Sequence, residues 1–120
     1  KKETYEVTLE KIKILSNLMK VNGDLDTNQI NYIINIIENV DVKKKDFNEI
    51  IKSFKNDYEF EIDYKKFLKD QKYPIQTLID LVSIAKVDGK FSKIEKDYII
   101  KIGDNLGVDQ EIVIQISENN

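Results

Sequence analysis

Asp88, Ser92 and Glu95 set three oxygen-bearing side chains along eight residues of a chain that has no histidine and no cysteine. Those two absences remove the usual general base, the thiolate nucleophile and the nitrogen and sulfur ligands of zinc. What remains is hard oxygen chemistry, suited to calcium, magnesium or manganese. A weaker set, Asn22, Asp24 and Asp26, lies in an earlier segment of similar composition. Calcium takes about six to eight oxygens, so either set needs backbone carbonyls, water or a partner's carboxylate to complete it. Neither is an EF-hand loop, because Gly89 follows Asp88 directly.

Each of these residues also has a purely structural use. Gly89 suits the left-handed position that ends a helix. Ser92-Lys93-Ile94-Glu95 spells a capping box, worth about 0.5–2 kcal/mol. Asp26-Thr27-Asn28-Gln29 is its counterpart in the first segment. Asp88 fits less well, since a carboxylate at a helix C-terminus is disfavoured by about 0.3–1 kcal/mol. Backbone N–H groups, Lys86, Lys90 or a bound cation must compensate it. Asn22 accepts hydrogen bonds nearly as well as Asp88 but is the poorer ligand.

The elements that position these residues come from an internal duplication. Leu15–Val42 aligns without gaps to Leu81–Val108, an offset of 66 residues. Lys20/Lys86, Val21/Val87, Gly23/Gly89 and Asn39/Asn105 match, as do Tyr32-Ile33-Ile34 and Tyr98-Ile99-Ile100. Matches at turns and core positions together indicate a repeat, one copy about 9–42 and the other about 75–108. Each copy reads as a helix–loop–helix hairpin. Leu9, Ile12, Leu15, Leu18, Met19 and Val21 recur at helical spacing, as do Leu78, Leu81, Val82, Ala85 and Val87. The second helices carry Ile30, Ile33, Ile34 and Ile37, then Tyr98, Ile99, Ile102 and Leu106.

Between the copies the pattern predicts two short helices, one from Asp46 through Ile50, Ile51 and Phe54, another over Tyr64, Phe67 and Leu68. Lys43–Lys45 reads as a solvated connector. Strict alternation occurs only around Tyr58, Phe60 and Ile62; the interleaved Glu59, Glu61 and Asp63 form a carboxylate row better suited to a solvated junction than to acid–base catalysis. Pro74 suits a helix's opening turn. A last helix from Asp109 should bury Ile112 and Ile116. The expectation is one all-α domain over residues 1–120, with about seven helices. The isoleucine-rich faces of the two hairpins should pack on each other and bring the two loops together.

The composition narrows function by exclusion. Hydrophobic residues make up 41% and charged residues 34%, which is globular rather than disordered. A net charge of −3 with no arginine gives neither broad attraction for nucleic acid nor a bidentate phosphate clamp. No apolar run is long enough to span a membrane, and no signal peptide is visible, so a cytoplasmic location is expected. The absence of cysteine leaves the redox compartment open.

Ile84–Val108 resembles the tellurite-resistance TerB family and the wider group of TerB-like domains. The pattern is carried by Ala85, Asp88-Gly89, Ser92, Glu95 and Leu106-Gly107. The resemblance implies an all-helical fold, acidic loops that bind divalent metal and a role in stress or tellurite resistance. It also implies use as a module of larger proteins, including J-domain co-chaperones and membrane-associated proteins. The first copy departs from the pattern, with Asn22 and Gln29 where the second has Asp88 and Glu95. The reading is therefore a non-catalytic module with protein partners, no nucleic acid and no direct membrane insertion. A divalent cation is its one expected cofactor, and a metal-independent interaction module is the alternative.

Overall fold

A computed structural model describes residues 3–21, 23, 27–87 and 89–119 of the chain. Among them the elements are α1 (Tyr5–Lys20), α2 (Thr27–Asn39), α3 (Lys44–Lys55), a 3-10 helix (Tyr64–Lys69), α4 (Lys72–Lys86), α5 (Lys93–Asn105) and α6 (Gln110–Asn119). The described residues contain no strand, so the protein is all-helical with seven helices among them, as its periodicity predicts.

The starts of α1 and α4 have local causes, and that of α3 a remote one. Thr4 caps α1 by accepting from the Val7 N–H at 3.2 Å. Pro74 sits in the first turn of α4, where its missing N–H costs nothing, and Asp70 accepts from the Lys72 N–H at 2.9 Å. The expected lysine connector is instead the opening of α3: Lys43 is its N-cap, and Lys44 and Lys45 lie in its first turn. Lysines there oppose the helix dipole. Asp46 offsets them, and the Tyr5 hydroxyl fixes the start by accepting from the Lys43 N–H at 3.0 Å and donating to Asp46 at 2.6 Å.

The 66-residue offset carries through the backbone. Gly23 and Gly89 share a positive φ, 79° and 80°, and so do Asp41 and Gly107, 54° and 76°. In the second helices, Val40 N donates to Ile36 O and Leu106 N to Ile102 O; just beyond, Val42 N bonds Ile37 O and Val108 N bonds Gly103 O. The correspondence extends past the hairpins, since α3 begins 66 residues before α6. Each copy is thus a three-helix unit.

The two units meet chiefly through α1 and α4, with α2 also reaching α4, and the 3-10 helix packs across both central helices. The central helices win this place over the isoleucine-rich α2 and α5 because they are buried around most of their circumference. Ile12, Ile14, Leu15 and Leu18 on α1, and Leu78, Leu81, Val82 and Ile84 on α4, are all fully buried. Each such side chain contributes about 1.5–3 kcal/mol by leaving water. A charge cluster around the buried Lys11 also crosses this contact. Lys11 of α1 pairs with Asp80 of α4 at 2.7 Å and with Glu3. Burial alone pushes the Lys11 ammonium down, but the hydrogen bonds and charges of Asp80 and Glu3 outweigh it and hold the group above its ordinary value.

The alternating segment 58–63 is extended but pairs with no strand. Asn17 on α1 acts as its partner: its Nδ2 donates to Phe60 O at 3.0 Å and its Oδ1 accepts from Phe60 N at 2.9 Å. Glu10 accepts from Asp63 N at 2.9 Å, and the Lys20 ammonium reaches Tyr58 O at 2.9 Å. Tyr58, Phe60 and Ile62 turn inward while Glu59, Glu61 and Asp63 face solvent.

Five apolar residues of the expected helix faces lie outside the core, Ile51 and the 64% exposed Leu68 among them. Ile112 is 40% exposed, because α6 turns Val113 and Ile116 inward instead. Val87 is 39% exposed past the end of α4, and Ile34 is 41% exposed on the outer side of α2.

Candidate functional site

Glu95 occupies the third position of α5 and is 1% exposed. The capping box is present as the sequence spells it. Ser92 Oγ accepts from Glu95 N at 3.1 Å, and Glu95 Oε1 accepts from Ser92 N at 3.0 Å. The serine hydroxyl also lies 3.1 Å from Oε1 as a donor. The second carboxylate oxygen, Oε2, accepts from the side-chain amide of Gln29 at 3.2 Å, and the same amide lies 3.3 Å from Ile84 O.

Gln29 is the repeat counterpart of Glu95, and it is itself only 3% exposed. The starts of α2 and α5 therefore touch. Two further cross-copy approaches mirror one another: the Tyr32 hydroxyl of the first copy lies near Ser83 of the second, and the Tyr98 hydroxyl of the second lies near Asn17 of the first. These pairs again differ by 66 at both ends. Burial, the largest cause, raises both phenols above their ordinary value, Tyr98 the more strongly. Both phenols therefore stay neutral at ordinary pH, at the seam between the copies.

The matched lysines have structural duties as well. Lys20 donates to Ser53 Oγ at 2.9 Å and lies 4.5 Å from the Phe54 ring centroid. Burial lowers its pKa, against the raising charges of Asp57 and Glu59. Lys86 donates to Ser117 O at 2.5 Å and lies 5.5 Å from the Phe91 ring. Each lysine thus fastens the end of its copy's first helix to the third.

Of the residues singled out by sequence, Ser92 and Glu95 are brought together in one capped helix start. Asp88, Asn22, Asp24 and Asp26 lie outside the described residues. Among the described residues no group of three acidic side chains is placed to hold a metal ion. A carboxylate oxygen has two lone pairs, so Glu95 Oε1 is fully used by Ser92 and Oε2 retains one site beside the Gln29 bond. Sequence reasoning missed Gln29 as part of this arrangement. The signal was available in the alignment: a residue near a local two-fold relation meets its own counterpart.

No helix among the described residues is long and apolar enough to cross a membrane. No curated protein and no solved structure matches the chain significantly. The family model described as "Tellurite resistance protein TerB" matches residues 8–118. That span holds both copies, the capped start of α5 and the Gln29–Glu95 contact, and the chain belongs to the TerB family.

Proposed function

We propose that this chain is a non-catalytic module of the tellurite-resistance type, serving stress response or regulation, whose paired loops take up a divalent cation. The observation that carries the reading is the Gln29–Glu95 contact. It makes neighbours of two helix starts that are fed by acidic loops, one running through Asp24 and Asp26 and the other through Asp88. Acidic residues precede both helix starts in the sequence, and a hard cation whose oxygen shell drew on both segments would offset their mutual repulsion.

Within this reading the residues divide their work. Asp88 is the leading ligand, with Asp24 and Asp26 supplying charge from the other loop and Asn22 a neutral oxygen. Ser92 and Glu95 are positioning residues: the capping box orients α5, and Glu95 ties it to α2. Only the free lone pair of Oε2 is left for coordination. Calcium, magnesium and manganese are the chemically matched ions.

The test is a titration of the amide NMR spectrum with each of the three ions, on the wild type and on Asp88→Asn. Saturable shifts at residues 88–95 and 22–29 that vanish in the variant support the reading. A flat response to millimolar cation removes it, and leaves a metal-independent interaction module.

A further inference from the structure

An apolar groove of about 450 Å³ opens between α2 and α3. Its floor is already buried: Met19 is 1% exposed, Ile33 3% and Ile50 1%. Its lips are not, with Ile34 41%, Phe47 38% and Ile51 38% exposed. The duplication explains why the groove exists. In the second copy α6 lies close against α5, and Val113 fits where Gly103 has no side chain, so that a Cβ on Gly103 would lie 2.6 Å from Val113 Cγ2. The matching positions of the first copy hold Ile37 and Phe47. Two large side chains replace a glycine and a valine, and α2 and α3 stand apart, each packed on α1 rather than on the other. The corresponding cleft between α5 and α6 has charged walls instead, with Lys86 and Lys96 over Phe91 and with Glu118 beside them. Where that cleft has Lys96, the first groove has Ile30.

We propose that this groove is a docking site for an amphipathic helix of a protein partner, with an apolar face and acidic residues along the one edge that meets α3, away from Glu38. Three observations choose that occupant. The exposed apolar atoms are on the lips, so the occupant must be wider than an alkyl chain, which would fill the floor and leave the lips wet. The surface is concave, so a second copy presenting the same groove would enclose a void rather than form a self-complementary contact. The edge along α3 is net basic, with Lys44, Lys45, Lys52 and Lys55 against Asp46 and Glu49, whereas the groove lining on the α2 side includes the acidic Glu38. Lys44, three residues before Phe47, and Lys55, four after Ile51, are exposed and have no ion pair among the described residues. The carboxylates of α3 are engaged elsewhere, Asp46 by the Tyr5 hydroxyl at 2.6 Å and Glu49 by the Tyr58 hydroxyl at 2.7 Å. Leucine-type anchors at helical spacing enter the groove, and acidic residues along one edge meet Lys44 and Lys55.

The test uses two synthetic helical peptides of about 18 residues, long enough to hold helix, sharing one leucine stripe and edged with either glutamate or lysine. Amide shifts of the full chain are followed on titration. The expected result is saturable shifts at Ile34, Phe47 and Ile51 with the glutamate-edged peptide, binding about tenfold weaker for the lysine-edged one, and weakening with salt. Ile51→Glu should abolish the response. The surface double variant Lys44→Glu/Lys55→Glu, which leaves the core untouched, should reverse the peptide preference. No saturable shift from either peptide, shifts outside the groove, or an unreversed preference overturns the proposal. So does displacement of the peptide by anionic phosphatidylglycerol vesicles acting on the same residues, or self-association through them.

Discussion

Gln29 and Glu95 hold the same position in the two copies and bond to each other, the amide of one donating to the carboxylate of the other across 3.2 Å. A residue on a local two-fold relation meets its own equivalent. Two glutamates there would bury like charges in contact, whereas an amide facing a carboxylate pairs a donor with a charged acceptor. The departure of the first copy from the family pattern thus avoids a buried pair of like charges. One copy supplies the acceptor and the other the donor.

Gln29→Glu should lower stability at neutral pH by about 1–3 kcal/mol, because it places a second carboxylate against a buried one. The check is a urea unfolding curve, with a lower midpoint at an unchanged slope. An unchanged midpoint would mean that the contact opens to solvent. Under the cation reading, millimolar calcium should recover part of the loss.

At Gly103 two effects oppose each other. Glycine to alanine within a helix ordinarily stabilises by about 0.5–1 kcal/mol. Here the new methyl collides with Val113, so Gly103→Ala should destabilise by about 1–3 kcal/mol. Adding Val113→Ala should recover much of that cost, a coupling that a double-mutant cycle reads directly. Additive effects would sink the argument.

The Tyr98 phenol has its pKa raised by burial, which favours the neutral form in the fold. Its contribution to stability is therefore complete below the unfolded value near 10 and is lost as pH rises through and beyond it. Absorbance titration should show Tyr98 ionising only together with unfolding, after more exposed tyrosines. Tyr98→Phe should reduce the alkaline loss of stability; an unaltered alkaline limb would contradict this.

Thr77 Oγ1 is buried with no hydrogen-bond partner in the structure among the described residues, and Thr77 stands where the first copy has Lys11. Thr77→Val keeps the shape and removes an unsatisfied hydroxyl, so it should be neutral or stabilise by up to about 1.5 kcal/mol. Thermal unfolding decides, and a clear loss of stability would show that the hydroxyl is satisfied in solution.

The helices were legible because their apolar residues recur at the helical period, and the duplication was legible because turns and core positions repeat together. What misled was local. Alternation at Tyr58–Ile62 marks a true inside–outside pattern, yet its hydrogen-bond partner is the side chain of Asn17, which no periodicity announces. Lys43–Lys45 read as connector because lysine is disfavoured at a helix start, and the Tyr5 hydroxyl that fixes that start is remote in sequence. Ile34 and Ile112 are isoleucines on the edges of their stripes, where spacing alone does not say which side is covered. In the site, Ser92 and Glu95 were legible as a capping box, whereas the role of Gln29 depended on the two copies meeting.

The segment 58–63 also fixes which copy can stand where. It is held by Glu10, Asn17 and Lys20 of the first copy, and only the last of these has an identical counterpart in the second, where Gln76 and Ser83 replace the other two. The halves are therefore not interchangeable parts. A chimera built from two second copies would keep both hairpins yet lose two of the three side chains that grip the segment joining them, so the ancestral symmetry has become a fixed order of assembly.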